Sequence, residues 1–350
     1  MFSFVNDYSE GACKQILENL IKTNYIQTNG YGMDKFCSYA QKIIRNAVDN
    51  QYVDVHFVPG GTPANVLAIC GLKSYEAVIC VETGHINTHE TGAVEATGHK
   101  ILQVKGTNGK ILPEQIEQVV LDHPDEHVVK PKMVFIANAT ELGTIYTKEE
   151  LIAISDVCKK YGLYLYMDGA RLGSALMSKQ NDLSLSDICA LTDIFYIGGT
   201  KNGALLGEAM VIKNEELKNN FRYLIKQHCS MLAKGRIIGI EFITLFEDNL
   251  YFKLAQNANY MAQQLNEFFK ENNIPMYTES STNQIFPILE NSLIKQIFTK
   301  YSAEVWCKYD QTHTVVRFVC SWATKQENID EFIIDCKNFM TQQQPVNYNF

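Results

Sequence analysis

From Val53 to Ile212 the chain alternates short runs of β-branched and aromatic residues with longer stretches of helical periodicity. No other feature narrows the fold as much, because strands that take turns with helices build a mostly parallel sheet covered on both faces. The runs predict strands at Val53–Val58, Ala77–Glu82, Lys100–Val104, Met133–Ala137, Leu163–Met167, Ile194–Ile197 and Glu208–Ile212. Helices are expected at Thr62–Leu72, Pro113–Leu121 and Thr147–Tyr161. The last opens on a capping box, Thr147 with Glu150 three residues on. Ligands on such sheets sit at the carboxyl ends of strands, so the residues that follow each strand matter most.

After about Gly235 the pattern changes. A long helical stretch with few breakers is expected over Ile237–Asn272. A strand (Gln284–Leu289), a helix (Ser292–Tyr301), two strands (Ala303–Lys308 and Val315–Ser321) and a last helix follow, with a second box at Thr324 and Glu327. This reads as a large α/β domain over residues 1–245 and a smaller α+β domain over 246–350, with a polar end after Met340 expected to fray. The length of 350 residues and a hydrophobic share of 46 % suit such a pair.

Thirty-nine acidic against 31 basic side chains give a net charge of −8, which argues against nucleic acid or an anionic membrane as partner. Ten cysteines include no C-x-x-C pair and no zinc-site spacing with histidine, and Cys70, Cys80 and Cys320 lie in apolar runs. Reduced thiols, no metal and a cytoplasmic setting are expected. The start of the chain lacks a basic region followed by an apolar one, so no signal peptide is expected.

Three strand ends carry chemistry. Val58-Pro59-Gly60-Gly61-Thr62 is a glycine turn opening a helix. It is either a phosphate seat, with Thr62 adding a hydroxyl, or a turn that needs glycine for backbone freedom. Asp168, in Met167-Asp168-Gly169-Ala170-Arg171-Leu172, ends a buried strand. It requires a partner, either Arg171 in a structural ion pair or a protonated ring nitrogen of a ligand. Lys201, in Gly198-Gly199-Thr200-Lys201-Asn202-Gly203, is either a solvated loop lysine or a burial-shifted amine able to form a Schiff base. Together, a phosphate seat, an acid for a ring nitrogen and a lysine are the parts that hold pyridoxal 5′-phosphate. A nucleotide-binding reading lacks its glycine fingerprint.

The chain resembles the β-eliminating lyase/threonine aldolase family of fold-type-I pyridoxal phosphate enzymes. The segments that carry the resemblance are Asn6-Asp7-Tyr8-Ser9-Glu10-Gly11, Gly30-Tyr31-Gly32-Met33-Asp34, the Gly60–Thr62 turn, Glu82-Thr83-Gly84-His85-Ile86, the Asp168 and Lys201 segments, and Val316-Arg317-Phe318-Val319. It implies an α/β fold with a mostly parallel sheet and a smaller C-terminal α+β domain. It implies that Lys201 links to the cofactor, that Asp168 meets its ring nitrogen, and that Gly61, Thr62 and Thr200 hold its phosphate. It places His85 on the ring face as the candidate base, Asn138 at the ring edge, and Arg171 near the ring hydroxyl or the substrate carboxylate. Arg317 and Asn6 fall to the substrate, and Tyr31, with Lys234 or Arg236, to a neighbouring copy's site in a homodimer or homotetramer.

The implied reaction is cleavage of an L-β-hydroxy-α-amino acid of threonine or allo-threonine type to glycine and an aldehyde. β-Elimination, transamination and cofactor binding without catalysis stand as alternatives. Members of the family usually carry Ser-Lys-Gly-Leu where this chain has Thr200-Lys201-Asn202-Gly203. A second active-site histidine has its nearest candidate in His127.

Overall fold

The computed structural model describes residues 2–342. A short strand, β1 (Phe2–Ser3), leads to two helices (Lys14–Thr23 and Lys35–Ala47) that precede the alternating region. The alternation then appears as read: β2 (Asp54–Val58), β3 (Glu76–Val81), β4 (Lys100–Val104), β5 (Lys130–Ala137), β6 (Tyr164–Asp168), β7 (Ile194–Gly198) and β8 (Glu208–Ile212). They form one seven-stranded sheet in the order β2-β8-β7-β6-β5-β3-β4. Only β8 runs against its neighbours. Strands β3, β6, β7 and β8 are buried along their whole length, as expected of a sheet covered on both faces.

The predicted capping box is present at the start of Lys148–Tyr161. The Thr147 hydroxyl accepts the Glu150 N–H at 3.2 Å, and the Glu150 carboxylate accepts the Thr147 N–H at 2.8 Å. Replacing Thr147 with alanine should cost about 1 kcal/mol, read as a lower urea midpoint at unchanged slope. An unmoved midpoint would contradict the cap's contribution.

The long helix after Gly235 is two helices, Arg236–Phe246 and Leu250–Glu271. Between them Asp248 and Asn249 sit at φ 51° and 57°, a conformation that Asp and Asn tolerate better than most residues. The strand expected over Gln284–Leu289 is likewise divided. Pro287 separates β9 (Gln284–Ile285) from β10 (Ile288–Glu290), as proline cannot donate to a ladder. Strand β11 (Tyr301–Ser302) pairs with β1, and β12 (Glu304–Lys308) with β13 (His313–Val319), which also takes β9 and β10. The last helix spans Gln326–Gln342. Its entry differs from the predicted box: the Lys325 N–H donates to Asn328, and the Thr324 hydroxyl accepts from the Ser321 N–H. The end expected to fray lies, beyond Gln342, outside the described residues.

Phe4 anchors the chain's start into the C-terminal core. Its fully buried ring packs on Phe318, Phe332 and Tyr301. This delivers Val5, Asp7 and Tyr8 to the carboxyl edge of the large sheet, where the strand ends meet. All ten cysteines are free thiols, and no described helix is long and apolar enough to cross a membrane.

Candidate active site

The ends of β2, β3, β6 and β7 and the N-terminal segment open on one cleft of about 530 Å³. Two glycines let its walls approach. A Cβ on Gly169 would lie 1.7 Å from the Tyr196 carbonyl, and one on Gly198 would lie 2.5 Å from that of Ala170. The loops after β6 and β7 therefore run in contact, with the Gly198 N–H donating to Gly169, and Asp168 and Lys201 face the same space.

Asp168 is buried and accepts from three neutral donors. It accepts from the Tyr196 hydroxyl at 2.5 Å, the Ala170 N–H at 2.9 Å and the Asn65 amide at 3.1 Å. Arg171 is not its partner. Arg171 forms a buried bidentate pair with Asp7, Nε to Oδ2 at 2.8 Å and Nη2 to Oδ1 at 3.1 Å, while still lining the cleft. Burial acts against the Asp7 carboxylate, but Arg171 and Lys201 hold its pKa below the usual value. The structural ion pair is thus with Asp7, and Asp168 has no cationic partner among the described residues.

The Gly60–Gly61 turn does not need glycine for backbone freedom. Gly60 is extended (φ 174°), and a Cβ there would touch only Pro63 Cδ, at an ordinary 3.8 Å. The turn leads into the helix Gly61–Ile69, whose first N–H groups have no partner within the helix and suit an anion. Gly61, Thr62 and Thr200 all line the cleft.

Lys201 is half-buried, with Nζ 6.0 Å from the ring centre of Tyr8. Among the described residues it makes no ion pair or hydrogen bond. Burial, and then the Arg171 charge, lower its pKa against the opposing pull of Asp7, Glu141 and Asp168. It is a partly buried amine facing the cleft, not a fully solvated loop lysine.

His85 follows β3 and donates or accepts through Nδ1 to Glu90 at 2.7 Å. Glu90 also accepts from Asn65, whose carbonyl takes the Tyr166 hydroxyl. A buried relay therefore ties His85 to Asp168 through Glu90 and Asn65. Burial alone would lower the His85 pKa, but the Glu90 hydrogen bond and the charges of Glu141 and Asp168 outweigh it and raise it. His89 also lines the cleft, stacked on His85 with ring centres 5.5 Å apart. His127 lies in an exposed loop.

Arg317, on β13, closes the far wall. It pairs with Glu304, donates to Gln284 at 3.4 Å and lies over the Trp306 ring, while its buried Nε has no hydrogen-bond partner among the described residues.

Asn6 and Asn138 do not line this cleft, and neither do Tyr31 and Arg236, whose expected place is a neighbouring copy's site. The Asn6 side chain caps its own turn, accepting from the Tyr8 N–H and the Ser9 hydroxyl. Asn138 is buried with its carbonyl on the Tyr146 N–H and does not line the cleft, although its own N–H donates to the Asp168 carbonyl. Tyr31 is on the outer surface beneath Lys226, and Arg236 is held by the Thr23 and Ile26 carbonyls. None of these residues completes the cleft of its own chain.

Residues 7–292 match the β-eliminating lyase family, and the chain belongs to that family. It is 33 % identical over 346 residues to a low specificity L-threonine aldolase of a Pseudomonas species, covering 97 % of this chain and 98 % of that one. A threonine aldolase structure from Leishmania major superposes with a TM-score of 0.95 at 44 % identity, covering 97 % and 99 % of the two chains. The structure of cystalysin from Treponema denticola, which contains pyridoxal 5′-phosphate, shares the fold at TM-score 0.73 and 14 % identity, covering 98 % and 92 %. The architecture is the fold-type-I one that the sequence implied.

Proposed function

We propose that this protein is a pyridoxal phosphate-dependent aldolase that cleaves an L-β-hydroxy-α-amino acid to glycine and an aldehyde. The observation that carries this is the meeting in one cleft of an amine (Lys201) and a carboxylate (Asp168) that, among the described residues, have no ion-pair partner, and of the helix start at Gly60–Thr62. These residues fit the cofactor: Lys201 as covalent anchor, Asp168 toward the ring nitrogen, Gly61 and Thr62 toward the phosphate. His85 stands in the same cleft to cover the ring face. When bound, the cofactor supplies an electron sink for the pair left on Cα.

The chain's own residues do the rest. Arg317 holds the substrate carboxylate through the bidentate geometry that guanidinium suits, and so sets which Cα bond is aligned to break. His85 takes the proton of the β-hydroxyl as the Cα–Cβ bond breaks and the aldehyde forms. Glu90 fixes the orientation of that imidazole. The Asp7–Arg171 pair keeps the N-terminal segment, with Tyr8, against the cleft.

Because a raised pKa keeps His85 protonated to higher pH, its activity as a base is lost as pH falls through that value. Glu90→Gln replaces the charged acceptor that raises it with a neutral amide, so the acidic limb of kcat/KM should move to lower pH. The pH–rate profiles of the two proteins check this, and a limb that stays in place would remove His85 from the role.

A division near residue 245 is supported by separate apolar clusters, one under the large sheet and one around Phe269, Phe318 and Phe332. Assembly of identical copies is supported by exposed apolar side chains on the first two helices and the loop between them, among them Ile21, Tyr25, Tyr31, Met33 and Tyr39. Free thiols support a cytoplasmic location. The test of the activity is to supply purified protein and cofactor with L-threonine, L-allo-threonine and L-phenylserine separately. Release of the matching aldehyde supports the assignment, and no aldehyde from any of the three overturns it.

A further inference from the structure

Glu208 begins β8 at the point where that strand lies between Val58 of β2 and Gly198 of β7. Val58 leads into the Gly60–Gly61 turn and Gly198 into the Lys201 turn. The carboxyl group therefore sits between the two arms of the proposed cofactor seat and lines the same cleft. It is 4 % exposed. Among the described residues its hydrogen bonds are to neutral donors, the Gly199 N–H at 2.9 Å and the Thr200 side chain. The ionisable groups facing it are Lys201 beyond β7, Asp168 and Tyr166 of β6, Tyr196 of β7, and Tyr251 of the helix Leu250–Glu271. No cation forms an ion pair with it among the described residues, although Lys201 lies near enough to act on it.

A phosphate monoester is close to a dianion above about pH 7. A buried carboxylate beside it would be a third negative charge in a site of low polarity. We propose that Glu208 is a proton-carrying wall of the phosphate seat: the cofactor's phosphate is held while Glu208 keeps its proton and is released as Glu208 ionises. Cofactor retention is thereby gated by pH through a residue that takes no part in the bond-breaking step.

The direction of the gate follows from the surroundings. Burial pushes the Glu208 carboxyl up to about 8, against the Thr200 and Gly199 hydrogen bonds and the Lys201 charge, which pull it down. A nearby dianion pushes it further up, so binding is strongest below that value and weakens above it. The inference rests on the cofactor reading given above.

The test uses pyridoxine 5′-phosphate, which carries the ring and phosphate but no aldehyde for Lys201. It is titrated calorimetrically into the full chain freed of cofactor, from about pH 6.5 to 9.5. Wild-type Kd should rise above about pH 8, approaching tenfold per pH unit. Glu208→Gln keeps the acceptor for Gly199 but cannot ionise, and should bind about 30-fold more tightly than wild type at pH 9.5, a pH unit and a half above the onset. Loss of the Lys201 charge would tilt both profiles alike, so the divergence between them reports Glu208. Thr200→Val, which removes a group favouring the ionised form, should move the wild-type rise to higher pH. Parallel profiles for wild type and Glu208→Gln, or an equal slope with unphosphorylated pyridoxine, would overturn the gate. Absence of binding by either protein at any pH would instead remove the cofactor seat, and the gate with it.

Discussion

Replacing Lys201 with alanine is expected to lower turnover of L-threonine by at least about 10³-fold, the upper part of the range for a group that also moves protons. The structure gives the reason. Lys201 is the one amine brought to the cleft with its pKa lowered and no partner among the described residues. The Asp7–Arg171 pair, 2.8 Å at its shortest, is complete without it. The fold should therefore survive the change, with far-ultraviolet dichroism unaltered, while the cofactor becomes removable by dialysis. Lys201→Arg separates charge from chemistry: it keeps the cation but cannot form the covalent link, and should be as inactive as the alanine variant. Either variant retaining a tenth of wild-type activity would show that another group anchors the cofactor.

Asp168→Asn should lower kcat/KM by roughly 10²–10³, the usual effect of removing one group aimed at charge in a water-poor site. Asparagine keeps the volume and an acceptor oxygen for the Tyr196 hydroxyl and the Ala170 N–H. What it removes is the negative charge proposed to meet the ring nitrogen. Three neutral donors surround that carboxylate, and a cationic partner has to come from the ligand. A loss below tenfold, measured by steady-state kinetics with L-threonine, would mean that the ring nitrogen is not held by Asp168.

Much of this site is legible in the sequence because it is built from strand ends. The residues before Asp168, Lys201 and Gly60 are apolar runs whose ends can be read without coordinates, and the parallel sheet does the gathering. Contacts between distant segments are less legible. Arg171 lies three residues from Asp168 and invites a local pair, yet its partner is Asp7, 164 residues away and positioned by the burial of Phe4. The relay from His85 through Glu90 and Asn65 to Asp168 joins two helix starts and a strand, and no spacing announces it.

Other parts of the structure do leave a mark in the sequence. Asp34 caps the helix Lys35–Ala47, whose buried Cys37, Ala40 and Ile44 have helical spacing. His89 is four residues from His85, one turn on the same face. Glu208, a carboxyl at the head of a strand buried throughout, is the kind of residue whose placement demands an explanation. By contrast, the break at Asp248 and Asn249 hides in a sequence whose periodicity continues on both sides.

The central claim is that this cleft breaks the Cα–Cβ bond and leaves the Cα–H bond intact. The measurement that tests it most directly is mass analysis of the products from L-threonine deuterated at Cα. Retro-aldol cleavage predicts equimolar acetaldehyde and glycine, with the deuterium retained on the glycine. Ammonia with 2-oxobutanoate, or deuterium lost to water in step with turnover, would contradict it and assign the cleft to elimination or transamination.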